Sequence, residues 1–203
     1  MAKKVLVIST TLRKSGNSER LAEAFAEGAR KAGNDVEFVS LRGKTINFCV
    51  GCLACQKTEK CVIADDSREI VAKMKTSDVL AFATPVYYYE MSGQMKTLLD
   101  RANPLFPSDY KFRDIYLLAA AAEDDEEAVD GAVNGLGGWI ACFEKCSLKG
   151  VVRGWGRRTS ATFPRRSSTK PAQWARKSDA RCGHKKRRAL LRRGGVACEF
   201  VRF

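Results

Sequence analysis

A polar stretch of ten residues, 9–18, has the composition of a ligand-binding loop. It reads Ser-Thr-Thr-Leu-Arg-Lys-Ser-Gly-Asn-Ser and carries five hydroxyl groups, one side-chain amide and two cations. The apolar residues 5–8 predict a buried strand before it, and the apolar residues within 19–32 recur at helical spacing after it. This order of strand, polar turn and helix places the hydroxyls where free backbone N–H groups and the positive end of a helix dipole lie.

The loop is therefore predicted to hold a phosphate dianion. The cations of Arg13 and Lys14 and the amide of Asn17 would add to the backbone N–H groups. Gly16 is expected to let the backbone bend close to the ligand without a steric penalty at Cβ. An ordinary turn with Ser18 as the helix cap would explain one serine but not the whole decapeptide, so we favour the phosphate interpretation.

The type of phosphate ligand is suggested by the glycine patterns that the loop lacks. It has neither the Gly-x-x-x-x-Gly-Lys-Ser/Thr pattern of a P-loop nor the Gly-x-Gly-x-x-Gly spacing of a dinucleotide site. A hydroxyl-rich turn with few glycines at this position is typical of a mononucleotide such as FMN in flavodoxin-like folds. The candidate phosphate ligands are Ser9, Thr11, Arg13, Ser15, Asn17 and Ser18.

Four cysteines form a second group with ligand chemistry. Cys49, Cys52, Cys55 and Cys61 follow the spacing Cys-x2-Cys-x2-Cys-x5-Cys, so four thiolates fall within thirteen residues. Such a group can wrap one soft metal centre. A zinc site is an alternative, although zinc motifs usually pair two Cys-x2-Cys elements that lie farther apart. A cysteine loop that carries no metal is the third interpretation.

The elements that must position these groups alternate between strands and helices. Strands are predicted over residues 4–9, 35–41, 79–84, 114–120 and 148–153, and helices over residues 18–31, 67–75, 94–103 and within 123–146. This alternation predicts a parallel sheet with right-handed crossovers, and the 203 residues predict one α/β domain.

In such a sheet the ligand binds at the carboxyl ends of the strands, where the winding direction reverses. For a strand order of 2-1-3-4-5 this crevice lies between strands one and three. It would receive residues 85–93, which include three tyrosines, and the turn at 120–124. Backbone groups there can reach the edge of a flat heterocycle while a tyrosine packs on its face, and tyrosines that only fill the edge of the core are the alternative. The candidate ring contacts are Pro85, Val86, Tyr87, Tyr88 and Ala121.

Together these residues resemble the NAD(P)H-dependent FMN reductase family of flavodoxin-like proteins. The resemblance covers residues 4–156. Its pieces are Ser-Thr at 9–10 with Arg13 and Gly-Asn-Ser at 16–18, Thr-Pro-Val-Tyr at 84–87, and Met-Ser-Gly-Gln-Met-Lys at 91–96 followed by Asp-Arg at 100–101. In the family the first piece holds the FMN phosphate and the second lines the isoalloxazine. The cysteine spacing resembles that of the iron–sulfur flavoproteins, a branch with a 4Fe–4S cluster near the FMN.

The resemblance implies a flavin-dependent oxidoreductase with a doubly wound, five-stranded sheet in three α/β/α layers. FMN would be the cofactor, NAD(P)H the electron donor, and an unidentified acceptor would receive the electrons, with or without the cluster as an intermediate carrier. No catalytic acid–base residue is expected, because the cofactor performs the chemistry. A homodimer or tetramer is implied by the helix that starts near residue 93. A non-catalytic electron carrier of the flavodoxin type is the alternative.

The positive charge of the chain is concentrated near its C-terminus. The net charge is +13, yet residues 1–150 carry −1 and residues 151–203 carry +14. Residues 1–156 are predicted to form the FMN-binding domain, and residues 157–203 a poorly ordered basic tail. We favour an out-of-frame C-terminus as the reason for the abrupt switch, and a nucleic-acid-binding arm is a less supported alternative.

The chain is expected to be cytoplasmic and to have no membrane partner. It has no apolar run long enough to span a bilayer, and its first residues do not resemble a signal peptide. The eight cysteines are then expected to be reduced or metal-bound.

Overall fold

The structure, a computed structural model, describes residues 2–123 and 125–154. The strands in this part are β1 (Lys4–Ser9), β2 (Asp35–Ser40), β3 (Val79–Tyr87), β4 (Glu90–Met91), β5 (Asp114–Ala120) and β6 (Ser147–Gly154). The helices are α1 (Asn17–Lys31), α2 (Cys55–Thr58), α3 (Ser67–Thr76), α4 (Gly93–Arg101) and α5 (Asp130–Ala141), with 3-10 turns at Asn103–Leu105 and Glu126–Val129. The predictions for the tail at 157–203 lie outside the described residues.

Five strands form a parallel sheet in the order β2-β1-β3-β5-β6, and the short β4 pairs antiparallel with the end of β3. This confirms the predicted flavodoxin-like order, because strands four and five of the prediction are β5 and β6 once β4 is counted. The central strands β1, β3 and β5 are nearly continuous runs of buried residues. Such runs are expected where helices cover both faces of a sheet.

Two apolar clusters fix the helices to the two faces of the sheet. On one face α1 places Leu21 and Phe25 against β1 and β3, because its apolar residues recur on one side of the helix. On the other face α3, α4 and α5 contribute Met74, Met95 and Leu136 to the second cluster. Burial of one such side chain stabilises the fold by about 1.5–3 kcal/mol. The packing on both faces therefore holds the strands that end at the carboxyl edge of the sheet.

The structure corrects the prediction that residues 85–93 are a loop. β3 continues to Tyr87 and pairs back with β4 through Val86 opposite Met91 and Tyr87 opposite Glu90. The reversal is made by Tyr88 and Tyr89, whose φ angles of 50° and 63° lie in the left-handed region. Tyrosine rarely adopts this backbone conformation, so the residue types at 88–89 contain no turn signal.

The long helix predicted within residues 123–146 is also shorter in the structure, where α5 is preceded by a 3-10 turn. Glycines in α5 have a packing reason. A Cβ atom on Gly131 would lie 2.0 Å from the backbone oxygen of Tyr89, and one on Gly135 would lie 2.9 Å from Met91 Cε. Both glycines therefore let the β3–β4 hairpin approach the helix backbone.

In the part of the chain that the structure describes, none of the helices combines the length and the apolar character needed to cross a bilayer.

Candidate functional site

The carboxyl ends of β1, β3 and β5 lie side by side and form one edge of the sheet. Ser9 pairs with Ala83, and Pro85 pairs with Ala120. The backbone N–H of Thr10 then donates to the Ala83 oxygen at 2.8 Å. The sheet thus brings the loop after β1, the β3–β4 hairpin and the turn after β5 to the same edge, as the strand order predicted.

At the start of the polar loop, Ser9 and Thr11 are buried. The Ser9 side chain is 0% exposed, and its Oγ finds no hydrogen-bond partner among residues 2–123 and 125–154. Thr11 Oγ1 accepts from the backbone N–H of Arg13 at 3.2 Å. An unpartnered hydroxyl inside a protein costs about 1–3 kcal/mol, so Ser9 Oγ marks a place where a ligand atom would be favourable.

The helix that follows starts without a side-chain cap. α1 begins at Asn17, and its N-cap residue Gly16 has no side chain that could accept from the N–H groups of the first turn. Ser18 is buried one position inside the helix, so the alternative in which Ser18 is the N-cap is wrong. The N–H groups of the first turn are therefore not engaged by a capping side chain, as a phosphate site requires.

The bend predicted at Gly16 lies one residue earlier. Gly16 has φ −69° and ψ 161°, which any residue adopts. Ser15 has the left-handed φ of 55° instead, and its backbone N–H donates to Glu19 Oε2 at 2.7 Å. The predicted ligand Ser15 therefore has its N–H occupied, while its side chain and that of Arg13 are exposed.

Sequence reasoning missed Glu19 and its partner Arg42. Arg42 Nη1 donates to both carboxylate oxygens of Glu19, at 3.0 and 3.2 Å. The Glu19 side chain is only 6% exposed, whereas that of Arg42 is 41% exposed. An acid in the first turn is ordinary in a helix, and 23 residues separate it from Arg42, so no local pattern indicated the pair.

A buried hydroxyl network ties the edge together and was also missed. Thr10 Oγ1 donates to the Ala83 oxygen at 2.9 Å and lies 3.1 Å from Ser92 Oγ. Ser92 Oγ accepts from Thr84 Oγ1 at 3.2 Å and caps α4 by accepting from the Met95 N–H at 3.3 Å. The position of Ser92 directly before a helix was the available signal.

The predicted ring contacts differ in exposure. Pro85 and Val86 are half-buried, and Ala121 is buried with its N–H bonded to the Gly154 oxygen at 2.8 Å. Tyr87 is 55% exposed and Tyr88 is fully exposed. The two tyrosine rings are therefore largely uncovered at the edge of the sheet.

The four predicted metal ligands are not gathered at one point. Cys49 and Cys52 are exposed, Cys55 is buried and Cys61 is half-buried. Within residues 2–123 and 125–154, no three His, Cys, Asp or Glu side chains form a group that could hold a metal ion. As they stand, the four thiols do not fit a four-thiolate centre.

Cys55 and Cys61 each accept a hydrogen bond from a side-chain N–H. Asn103 Nδ2 donates to Cys55 Sγ at 3.1 Å, and Arg101 Nη2 donates to Cys61 Sγ at 3.3 Å. Burial raises the pKa of the Cys55 thiol, and the Asn103 hydrogen bond opposes this rise. The pKa of Cys55 stays above its ordinary value in spite of this donor, so burial favours the neutral thiol there.

Arg101 fastens the cysteine segment to α4. Its side chain is 0% exposed and donates from Nη1 to Asp65 Oδ2 and to the Asn47 oxygen, both at 2.7 Å, and from Nη2 to the Ile63 oxygen at 3.1 Å. Burial tends to raise the pKa of Asp65, but hydrogen bonds from Arg101 and Ser67 outweigh it and hold that pKa well below its ordinary range. The pair is therefore ionised at neutral pH.

Comparisons with known proteins give a consistent result. A family model described as NADPH-dependent FMN reductase matches residues 3–139. An iron–sulfur flavoprotein of Methanocaldococcus jannaschii is 40% identical over 102 residues, which are 50% of this chain and 53% of that protein. One of Methanosarcina thermophila is 35% identical over 99 residues, which are 49% of this chain and 52% of that protein. The chain thus spans about half the length of these curated relatives.

Solved structures show the same fold. An NAD(P)H:quinone oxidoreductase from Methanothermobacter marburgensis has a TM-score of 0.64 at 17% identity, covering 91% of this chain and 100% of that one. The Trp repressor binding protein from Bacillus subtilis has a TM-score of 0.59 at 20% identity, covering 89% of this chain and 100% of that one.

Proposed function

The chain belongs to the NADPH-dependent FMN reductase family, and on this premise we propose that it binds FMN at the carboxyl edge of the sheet and acts as a flavin-dependent oxidoreductase. Electrons would pass from NAD(P)H through the flavin to an acceptor. The observation that carries the proposal is the buried Ser9 Oγ, which lacks a partner among the described residues and lies at the start of the loop that leads into the uncapped first turn of α1. A phosphate oxygen accepting from both would remove the cost of leaving them unbonded.

The residues present fit this cofactor. Ser9, Thr11, Asn17 and Ser18 would bind the phosphate with hydroxyl, amide and backbone N–H donors, and Arg13 would add a cation from the exposed side of the loop. When bound, FMN accepts a hydride from the nicotinamide and returns the electrons to an acceptor. Pro85, Val86, Tyr87, Tyr88 and Ala121 would orient the ring and keep water from part of it.

A flavin titration tests the proposal. The purified chain should be yellow or take up added FMN with quenching of the flavin fluorescence, and the holoprotein should oxidise NADPH steadily when an acceptor such as a quinone is supplied. Asn17→Ala should weaken FMN binding by at least about tenfold, because a hydrogen bond to a charged group is worth about 1.5–3 kcal/mol. Lys31→Ala, at the opposite end of α1, is the matched control.

Two outcomes would contradict this function. Failure of the chain to bind FMN at micromolar concentration would exclude the flavoprotein interpretation. FMN binding without NADPH oxidation would instead favour the alternative of a flavodoxin-type electron carrier.

An iron–sulfur cluster on Cys49, Cys52, Cys55 and Cys61 is the second candidate feature. It is supported by the names of relatives such as the M. jannaschii and M. thermophila proteins and by the N–H donors at Cys55 and Cys61. The thiols as they stand do not converge, so ligation would require residues 49–52 to move inward.

Anaerobic reconstitution with iron and sulfide tests this candidate. We expect about four iron atoms and four sulfides per chain, with broad visible absorbance that dithionite bleaches. Cys55→Ala should abolish the incorporation, whereas Cys142→Ala should leave it unchanged because Cys142 lies outside the cysteine segment. Retention of iron by the Cys55→Ala variant, or no incorporation by the parent chain, would refute the cluster.

Residues 1–156 are proposed as the FMN-binding domain and residues 157–203 as a separate basic tail. Deletion of 157–203 should leave FMN affinity unchanged within about twofold. A DNA-binding assay on both forms tests the remaining alternative, since affinity that depends on the tail would support a nucleic-acid-binding arm.

Assembly into a homodimer or tetramer is a further proposal, and sedimentation analysis of the full chain tests it.

A further inference from the structure

We propose that Glu19 is a positioning residue for the phosphate loop, and that Arg42 neutralises it so that the site selects the phosphorylated flavin FMN over riboflavin. This inference rests on the proposed FMN binding. It assigns a role to two residues that the motif in the loop does not include.

The first step is the turn at Ser15. Its φ of 55° is a backbone conformation that non-glycine residues adopt only under constraint. The constraint present here is the 2.7 Å hydrogen bond from the Ser15 N–H to Glu19 Oε2, which is charge-assisted. Because Glu19 lies in the first turn of α1, it fixes the turn relative to the start of the helix.

The second step is the charge of Glu19. A carboxylate with only 6% of its side chain exposed would repel a phosphate dianion bound at the same loop. Arg42 Nη1 contacts both carboxylate oxygens, at 3.0 and 3.2 Å, and so cancels this repulsion. The Glu19–Arg42 pair can therefore hold the loop without repelling a bound phosphate.

The third step concerns selectivity. The Ser15 N–H is already occupied, so the phosphate would bind to the rest of the loop, including Ser9 Oγ, which has no partner among the residues that the structure describes. Glu19 and Arg42 thus act on the shape and charge of the phosphate site and not on the ring site at residues 85–88. Riboflavin has the same ring and lacks the phosphate, so it reports on the ring site alone.

The experiment titrates flavin-free full-length protein with FMN and with riboflavin, following flavin fluorescence. We expect Glu19→Ala and Arg42→Met to raise the Kd for FMN about tenfold or more, which corresponds to about 1.4 kcal/mol, and to change the Kd for riboflavin less than about twofold. Glu19→Gln keeps an acceptor for the Ser15 N–H and should restore part of the preference lost in Glu19→Ala. Glu27→Ala removes an exposed ion pair with Lys31 on the same helix and should change neither Kd.

The outcomes separate this inference from the function beneath it. If the parent chain binds neither flavin, the proposed function fails and the inference falls with it. If the parent chain prefers FMN and Glu19→Ala and Arg42→Met keep that preference, only the inference fails, even where both variants melt at lower temperature. Should Glu19→Ala not fold, Arg42→Met and Glu19→Gln make the same comparison, because the Arg42 side chain is 41% exposed.

Discussion

The contact between α5 and the β3–β4 hairpin yields a sharp stability prediction at Gly131. A Cβ atom there would lie 2.0 Å from the Tyr89 oxygen, and a real Cβ contact is not shorter than 3.0 Å, so the hairpin or the helix must shift by about 1 Å. Overpacking of this kind costs about 1–3 kcal/mol. Replacing glycine by alanine in a helix interior gains about 1 kcal/mol when space is free. Gly131→Ala should therefore be neutral to destabilised by about 2 kcal/mol.

Gly138 is the matched control, because it is exposed in the same helix and has no atom within 4 Å of its added Cβ. Gly138→Ala should gain the full helix term of about 1 kcal/mol. The gap in the free energy of unfolding between the two variants then isolates the clash, at about 1–3 kcal/mol. Gly135→Ala should fall between them, since its added Cβ meets the flexible Met91 Cε at 2.9 Å.

Urea denaturation of the full-length variants, monitored by far-ultraviolet circular dichroism, measures these differences. An equal or greater stability of Gly131→Ala relative to Gly138→Ala would show that the hairpin does not press on α5, and the packing argument would be wrong. A change in the slope of the transition would instead indicate altered compactness.

Three further predictions concern buried polar contacts. Arg101→Leu should lower the free energy of unfolding by about 3–5 kcal/mol, because it leaves the Asp65 carboxylate buried and without its cation. Lys96→Ala breaks an exposed ion pair and should lower that free energy by at most about 0.5 kcal/mol, and urea denaturation compares the two variants. The pKa of Asp65 in the folded protein lies below its ordinary 3.8, so the ionised carboxylate contributes fully to stability above pH 3.8 and loses this contribution as the pH falls further. In thermal melts from pH 5 to pH 2, the melting temperature of Asp65→Asn should therefore fall less than that of the parent. Ser92→Ala should cost about 1–2 kcal/mol through loss of the α4 cap and of the bonds to Thr10 and Thr84, and equal melting temperatures of this variant and the parent would contradict the network.

The strand order and the site at the carboxyl edge could be predicted because they depend on local patterns. Residues 4–31 contain an apolar strand, a polar turn and an amphipathic helix, in that order. Each of these elements is recognisable from a pattern of a few neighbouring residues. The parallel alternation then leaves few topologies. The location of residues 9–18 and 85–88 at one edge follows from that order.

The remaining features depend on contacts between distant residues or on unusual backbone angles. The pairing of Glu19 with Arg42 and that of Arg101 with Asp65 join residues 23 and 36 positions apart, which no periodicity encodes. The β3–β4 hairpin reverses at Tyr88 and Tyr89, which have left-handed φ angles, whereas glycine or asparagine usually occupies such turn positions. The backbone bend that the sequence predicts at Gly16 lies at Ser15, which has a left-handed φ.

Arg101 also has a consequence for the length of the cysteine segment. Its guanidinium binds the Asn47 oxygen at one end of that segment and the Ile63 oxygen and Asp65 at the other, so it closes residues 47–65 into a ring clamped on α4. Lengthening a closed loop is cheap, since each doubling costs only about 0.6 kcal/mol. The ring can therefore accept insertions between its clamped ends, and the spacing of its thiols can change while the rest of the fold stays intact.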